Sequence, residues 1–193
     1  MKQDKLKMKL LLGSKSPRRR ELLENLGLNF EMVEIDCDET YPEALKTDEI
    51  AAFLAEKKSS AYTKLEANEI LLTSDTIVVL GNRILGKPAN ENEACEMLRE
   101  LSGQTHEVHT AVTLRSSTQK MTESDVARVH MNKLGEHEIL LYISECRPYD
   151  NAGSYGVQEW LGLARINRIE GSFYTIMGLP THLVYEMLKK FEA

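Results

Sequence analysis

The sequence predicts a mixed α/β fold with a long antiparallel component, in two lobes around one central sheet flanked by helices. Three observations lead there. Apolar runs of strand length alternate with helix-period segments through the first half of the chain. Residues 70–80 form a long β-branched run closed by the hairpin dipeptide Gly81-Asn82. Residues 106–115 alternate in the period of a strand, and 126–131 read as its partner.

The elements follow in order. Residues 9–12 are a short apolar strand entering Gly13-Ser14-Lys15-Ser16-Pro17. A helix is expected over 17–26, because Ser16 suits the N-cap and Pro17 the first helical position. Leu22, Leu23 and Leu26 give it an apolar stripe, and Gly27 stands where a C-terminal cap belongs. Residues 30–35 read as a second strand, followed by an acidic loop over 36–39. Thr47 opens a helix expected to reach about residue 65, with Asp48 and Glu49 where the helix dipole favours acids. The 70–80 strand turns through Gly81-Asn82 into 83–85. Asn90-Glu91-Asn92-Glu93 resembles a capping box for a helix ending near Leu101, before Gly103. After the strand pair, a helix over 136–144 leads into a glycine-rich stretch at 150–162. Residues 165–176 read as a hairpin turning near Glu170-Gly171, and a last helix starts after Pro180.

A chain of 193 residues suits a single domain over 1–193, or two lobes sharing a core. At this length about 70% of the unfolded surface is buried on folding. The 42% apolar composition supplies such a core without metal or disulfide staples. Lys and Arg number 24 against 30 Asp and Glu, a net charge of −6. That balance argues against a stable nucleic-acid partner or an anionic membrane surface, since phosphate-backbone affinity needs clustered cations. Cys37, Cys95 and Cys146 are far apart and odd in number, as expected of reduced thiols in a cytosolic protein. No apolar run approaches the ~20 residues that span a bilayer. The expectation is a soluble, cytoplasmic protein with residues 1–7 as a flexible N-terminal extension.

Four constellations carry possible chemistry. The first is Ser14-Lys15-Ser16-Pro17-Arg18-Arg19-Arg20. Arg18 and Arg19 fall in a first helical turn, where the dipole disfavours cations. Free N–H groups, the hydroxyls of Ser14 and Ser16, and two or three guanidinium groups would cradle a polyphosphate. A solvated arginine cluster beside an ordinary cap is the alternative. The second is Asp75, a carboxylate inside an apolar strand, which is costly unless paired, protonated or metal-bound. It is either a general base or metal ligand, or a strand-end aspartate bonded to Thr73 or Thr76. Glu39, in the acidic loop with Asp36 and Asp38, could add a second hard-oxygen ligand for Mg²⁺.

The third constellation is a pair of lysines. A stripe through Ile50, Phe53, Leu54 and Ala61 places Lys57 within it and Lys58 at its edge, so Lys57 either snorkels or points into a cleft. Lys87, in Gly86-Lys87-Pro88, sits on a rigid extended loop from which it can reach a phosphate or stay exposed. The fourth is Asp150-Asn151-Ala152-Gly153-Ser154-Tyr155-Gly156-Val157-Gln158. Its small residues allow close backbone approach, and Gln158 can read a base edge with one acceptor and one donor group. His106 and His109, three apart on a strand, point to opposite faces and read as structural.

In order and spacing these pieces resemble the Maf family of nucleoside triphosphate pyrophosphatases. The resemblance rests on Leu12-Gly13-Ser14-Lys15-Ser16-Pro17-Arg18-Arg19, Glu56-Lys57, Ser74-Asp75-Thr76, Gly86-Lys87-Pro88, Leu101-Ser102-Gly103, the stretch from Asp150 to Gln158, and Gly178-Leu179-Pro180. It implies a two-lobed fold related to inosine triphosphatase, with an elongated sheet and an active site in the cleft between lobes. It also implies a divalent metal cation (Mg²⁺ or Mn²⁺), a homodimer, and hydrolysis of a nucleotide to its monophosphate and pyrophosphate. Asp75 would be the proton acceptor, Glu39 would assist the metal, and Ser14, Arg18, Arg19, Lys57 and Lys87 would hold the phosphates. The Gly-Val-Gln ending at Gln158 looks like the branch acting on dTTP and UTP, with Arg18, Thr76 and Gln158 as specificity positions. Ser74, Asn151 and Glu159-Trp160 depart from the family pattern, where Ala, Lys and a continuing glycine run are usual. The alternatives are a 7-methyl-GTP or broad-specificity pyrophosphatase and a non-catalytic nucleotide-binding regulator of cell division.

Overall fold

The computed structural model describes residues 7–191; all of the expected N-terminal extension except residue 7 lies outside them. Seven strands form one mixed sheet in the order β2-β1-β3-β5-β6-β7, with β4 paired to β3. They are β1 (Lys9–Leu12), β2 (Phe30–Met32), β3 (Glu69–Leu80), β4 (Arg83–Leu85), β5 (Thr105–Arg115), β6 (Lys120–Met131) and β7 (Ile166–Glu170). Strand β1 runs parallel to both β2 and β3, whereas β3–β4 and β6–β7 are antiparallel. By internal contacts the chain forms two compact units. One comprises the described residues up to Asp75, Thr110–Asp125 and the segment from Gly178; the other comprises Thr76–His109 and Val126–Met177.

In the first unit, Leu10, Leu11 and Leu12 are buried because β1 is flanked by strands on both sides, which explains its unbroken apolar run. The strand leads into Gly13, where a Cβ would stand 2.3 Å from Ile35 Cδ1 and 3.1 Å from Thr73 Cγ2. Helix α1 (Pro17–Asn25) begins as expected, with Ser16 Oγ accepting from the Arg19 N–H. Gly27 takes φ +75° just past its end. Strand β2 stops at Met32 and does not reach residue 35, and among the described residues it stands at the end of the sheet, paired to β1.

Helix α2 (Thr47–Ala61) also ends before the expected residue 65. The reason is Arg115, whose Nη2 donates to the carbonyls of Ser59 and Tyr62 and holds Tyr62 in extended backbone. The buried face of α2 is Ile50, Ala51, Leu54, Ala55 and Ser59; Phe53 is half-buried and Ala61 exposed. The expected stripe was therefore centred wrongly, and Lys58, three and four residues from Ala55 and Leu54, lies on the core side. Strand β6 starts at Lys120 and not near residue 126, because Ser116 closes a tight turn whose hydroxyl accepts from the Thr118 and Gln119 N–H groups.

In the second unit, α3 (Glu91–Leu101) is capped by Asn90 Oδ1, which accepts from Glu93 N at 3.0 Å. Helix α4 (Glu136–Cys146) buries Ile139, Tyr142 and Ile143. The glycine-rich stretch contains a short 3₁₀ turn (Ala152–Ser154) and then a helix not expected from the sequence, α5 (Trp160–Arg165). The expected hairpin over 165–176 is corrected: β7 pairs with β6, and Phe173–Met177 is a helix, α6. Tertiary burial of Thr175 and Met177 overrides the β-propensity of Phe173-Tyr174-Thr175-Ile176. In the first unit, α7 (Thr181–Phe191) closes the chain by burying Val184, Met187, Leu188 and Phe191. Among the described residues no helix is long and apolar enough to cross a membrane.

Candidate active site

Asp75 lies on β3 and is 6% exposed. A carboxylate so placed needs a cation, and Lys58 of α2 provides it: its Nζ bonds Asp75 Oδ1 and lies 2.8 Å from Glu39 Oε1. The Lys58 side chain is 15% exposed, so the ammonium is partly withdrawn from water between two acids. Lys57, the residue expected here, turns to the loop before the helix. Its Nζ lies 2.6 Å from Asp38 Oδ1 and donates to Thr40 O at 2.8 Å and Thr40 Oγ1 at 3.0 Å. The Lys57 ammonium and the Thr40 hydroxyl hold the Asp38 carboxyl below the usual carboxylate range. Two adjacent lysines thus do different things: one pins the acidic loop and the other joins Glu39 to Asp75.

The arginines meet the same neighbourhood from α1. Arg19 Nε donates to Gly178 O at 2.8 Å and its Nη1 to Ser14 Oγ at 3.3 Å. Ser14 Oγ also accepts from Ser16 N at 3.2 Å. Burial pushes the Arg19 guanidinium below its ordinary pKa, while the charges of Asp75 and Glu39 pull it back up and Arg18 adds to the lowering. Arg19 therefore sits in the field of both acids. Ser14, Ser16, Arg19, Glu39, Asp75 and Lys58 are brought together within the first unit; Arg18 is half-buried beside Arg19.

The remaining candidates belong to the second unit. Thr76 is half-buried, and Lys87 is exposed next to buried Pro88. Gly86 O accepts from Gly153 N at 3.0 Å, which fastens the Lys87 loop to the glycine-rich stretch. The small residues there serve the protein's own packing: a Cβ on Gly153 would meet the Val78 methyls at 3.1 Å. Gln158 is half-buried and its Oε1 is shielded with no hydrogen-bond partner. His106 and His109 bond separate groups, Tyr155 OH and Glu107. Burial lowers the His106 pKa to about 4.

Two carboxylates on one ammonium form a hard-oxygen donor set of the kind Mg²⁺ and Mn²⁺ take, one or two acids completed by phosphate oxygens and water. No group of three or more His, Cys, Asp or Glu poised for a metal occurs among the described residues. The set fits an ion that substrate helps to hold, not an all-protein cage.

A family model described as Maf-like protein matches residues 9–191, all of the site included. The chain belongs to the Maf family. It is 45% identical over 189 residues to a dTTP/UTP pyrophosphatase of Flavobacterium johnsoniae, covering 97% of each chain. A protein of the same name from Porphyromonas gingivalis is 44% identical over 189 residues, covering 96% of this chain and 95% of that one. Another from Phocaeicola vulgatus is 43% identical over 186 residues, covering 95% and 96%. Among solved structures, a HAM1 protein from Coxiella burnetii is similar at a TM-score of 0.42 and 16% identity over 64% of this chain and 73% of that chain, too slight a likeness to bear on the fold.

Of the departures from the Maf pattern, Ser74 and Glu159 make side-chain hydrogen bonds. Ser74 Oγ donates to Gly178 O, the carbonyl that also takes Arg19 Nε, and so links the residue before Asp75 to the arginine. Asn151 is 2% exposed, and neither its Oδ1 nor its Nδ2 has a hydrogen-bond partner. Burial of a lysine ammonium in that position would be far costlier. Glu159 accepts from the Tyr142 hydroxyl and precedes α5, whose first residue is Trp160. Sequence reasoning missed Lys58, Gly178 O and the Tyr142–Glu159 pair. Counting Ala51 and Ala55 into the apolar face of α2 could have found Lys58; Gly178 and Glu159 stand in segments the sequence singles out, but no local signal shows what they bond.

Proposed function

We propose that this chain hydrolyses dTTP and UTP to the monophosphate and pyrophosphate. The observation that carries the reading is the Asp75–Lys58–Glu39 cluster beside Arg19, on a chain 42–45% identical over nearly its full length to proteins named dTTP/UTP pyrophosphatase. Asp75 accepts the proton of the attacking water, which adds to the α-phosphorus while pyrophosphate leaves. Arg19, oriented by Gly178 O and Ser14, and Arg18 beside it offset the charge gathering on the departing oxygens. Donors aimed at developing charge in this way are worth about 10²–10³ in rate each. Lys58 holds the two acids together and is placed to pass to a phosphate oxygen when substrate enters. Lys57 keeps the loop bearing Glu39 in place, while Ser14, Ser16 and Lys87 complete the phosphate contacts. Asp75 and Glu39 would hold the divalent metal cation, which when bound supplies Lewis-acid polarisation of the phosphate.

Gln158, with Arg18 and Thr76, reads the base. A cytoplasmic setting and a homodimer belong to the same proposal, on the family resemblance; light scattering tests the latter. Product analysis across dTTP, UTP, CTP and 7-methyl-GTP with Mg²⁺ or Mn²⁺ tests the reading. It predicts pyrophosphate release from dTTP and UTP above the others. Preference for the methylated purine would replace the pyrimidine assignment, and no pyrophosphate from any of them would remove the enzyme reading.

A further inference from the structure

Gln158 and Glu159 are consecutive, and their side chains meet. Gln158 Nε2 donates to Glu159 Oε1 over a long 3.5 Å, and Glu159 Oε2 accepts from the Tyr142 hydroxyl. Tyr142 is itself fixed: it is 1% exposed, and its oxygen accepts from Gly156 N at 2.9 Å. Burial, with the Glu159 carboxylate second, raises its pKa, so the hydroxyl stays protonated and donates. The corner is closed tightly. A Cβ on Gly156 would lie 2.6 Å from Glu159 Cδ and Oε1 and 2.8 Å from Gln158 Nε2.

A carboxylate only accepts hydrogen bonds, whereas a primary amide has an accepting and a donating end. Facing Glu159, the Gln158 amide must present Nε2, which directs Oε1 elsewhere. That oxygen is shielded and accepts nothing among the described residues, which is costly for a buried polar group. Turning the amide over would set two acceptors against each other at Glu159.

Uracil and thymine carry a donor at N3 beside an acceptor at O4, while cytosine carries an acceptor at N3 beside a donor at N4. The order is reversed, and the amide that fits one edge fits the other only when turned over. We infer that Glu159, anchored by Tyr142, is a positioning residue that locks the Gln158 amide with its oxygen toward N3–H and so selects uracil and thymine nucleotides against cytosine. This rests on the pyrophosphatase reading with Gln158 at the base. A free amide would adapt to either edge; the lock supplies the repulsive element that specificity needs.

The test is kcat/KM for UTP, dTTP and CTP in the unmodified enzyme, E159Q, E159D and Tyr142→Phe. In E159Q the neighbour both donates and accepts, so the amide is released. The UTP-to-CTP ratio then falls at least about tenfold, mainly through faster CTP turnover. E159D keeps an accept-only neighbour and restores most of the ratio. Tyr142→Phe, which releases the carboxylate from its anchor, lowers the ratio as well. A merely structural role would lower UTP and CTP turnover in proportion, and an unchanged ratio in either folded releasing variant overturns the inference. Failure of the unmodified enzyme to cleave UTP and dTTP would instead strike the underlying reading.

Discussion

Neighbouring lysines on one helix offer a sharp comparison, because replacing either with methionine keeps the stem and removes one charge. Lys58→Met leaves the Asp75 carboxylate, 9% exposed in its side chain, without its bonded cation. Breaking a buried pair from one side costs about 3–5 kcal/mol. Arg19 still places a positive charge in the field of Asp75, so the lower end, about 3 kcal/mol, applies. Lys57→Met loses a partner, Asp38, that is 64% exposed and can return to water. Exposed pairs are worth no more than about 1 kcal/mol. Urea denaturation of both variants, each with and without Asp75→Asn, measures the two costs and the coupling of Lys58 to Asp75. Lys58→Met should lose most of its penalty when Asp75 is neutralised, and Lys57→Met should be indifferent to it. Equal penalties for the two lysines, or no coupling between Lys58 and Asp75, would refute the assignment of Lys58 to the carboxylate pair.

Two further outcomes follow from the same contacts. Asp75→Asn keeps the side chain's shape and should retain the circular dichroism spectrum while lowering dTTP turnover by at least about 10²-fold; near-normal hydrolysis would take Asp75 out of the proton transfer. His106, bonded to the buried Tyr155 hydroxyl, has its folded-state pKa depressed from 6.5 to about 4 by burial. The unfolded state therefore binds the extra proton first, so this contribution is fully present above pH 6.5 and is lost as pH falls toward 4, at most about 3 kcal/mol. An NMR titration of the His106 ring should show a midpoint near 4 in the folded protein, and a midpoint near 6.5 would contradict it.

Much of the fold was legible because its elements announce themselves locally. The α1 start needs only Ser16-Pro17, and the β3–β4 hairpin needs only Gly81-Asn82 after a β-branched run. What was illegible depended on distant partners. Arg115 ends α2 from 53 residues away, through Tyr62 O. Phe173-Tyr174-Thr175-Ile176 become helical, with Thr175 and Met177 buried, although the propensities of those four residues favour a strand. In the site, Asp75 stood out as a charge in an apolar strand, and the arginines stood out against the helix dipole. The choice between Lys57 and Lys58 turned on a 100° rotation of the stripe, set by Ala51 and Ala55 and not by the larger Phe53. Gly178 O, a backbone atom tying Arg19 to Ser74, leaves no mark on side-chain chemistry at all.

Hydrolysis of UTP in ¹⁸O-enriched water shows which phosphorus the water attacks. Attack on the α-phosphorus by water that Asp75 deprotonates forms the new P–O bond on the nucleotide side. Mass spectrometry should therefore find one ¹⁸O in the uridine monophosphate and none in the pyrophosphate. Label in the pyrophosphate, or a nucleoside diphosphate with labelled phosphate, would rule out attack at the α-phosphorus.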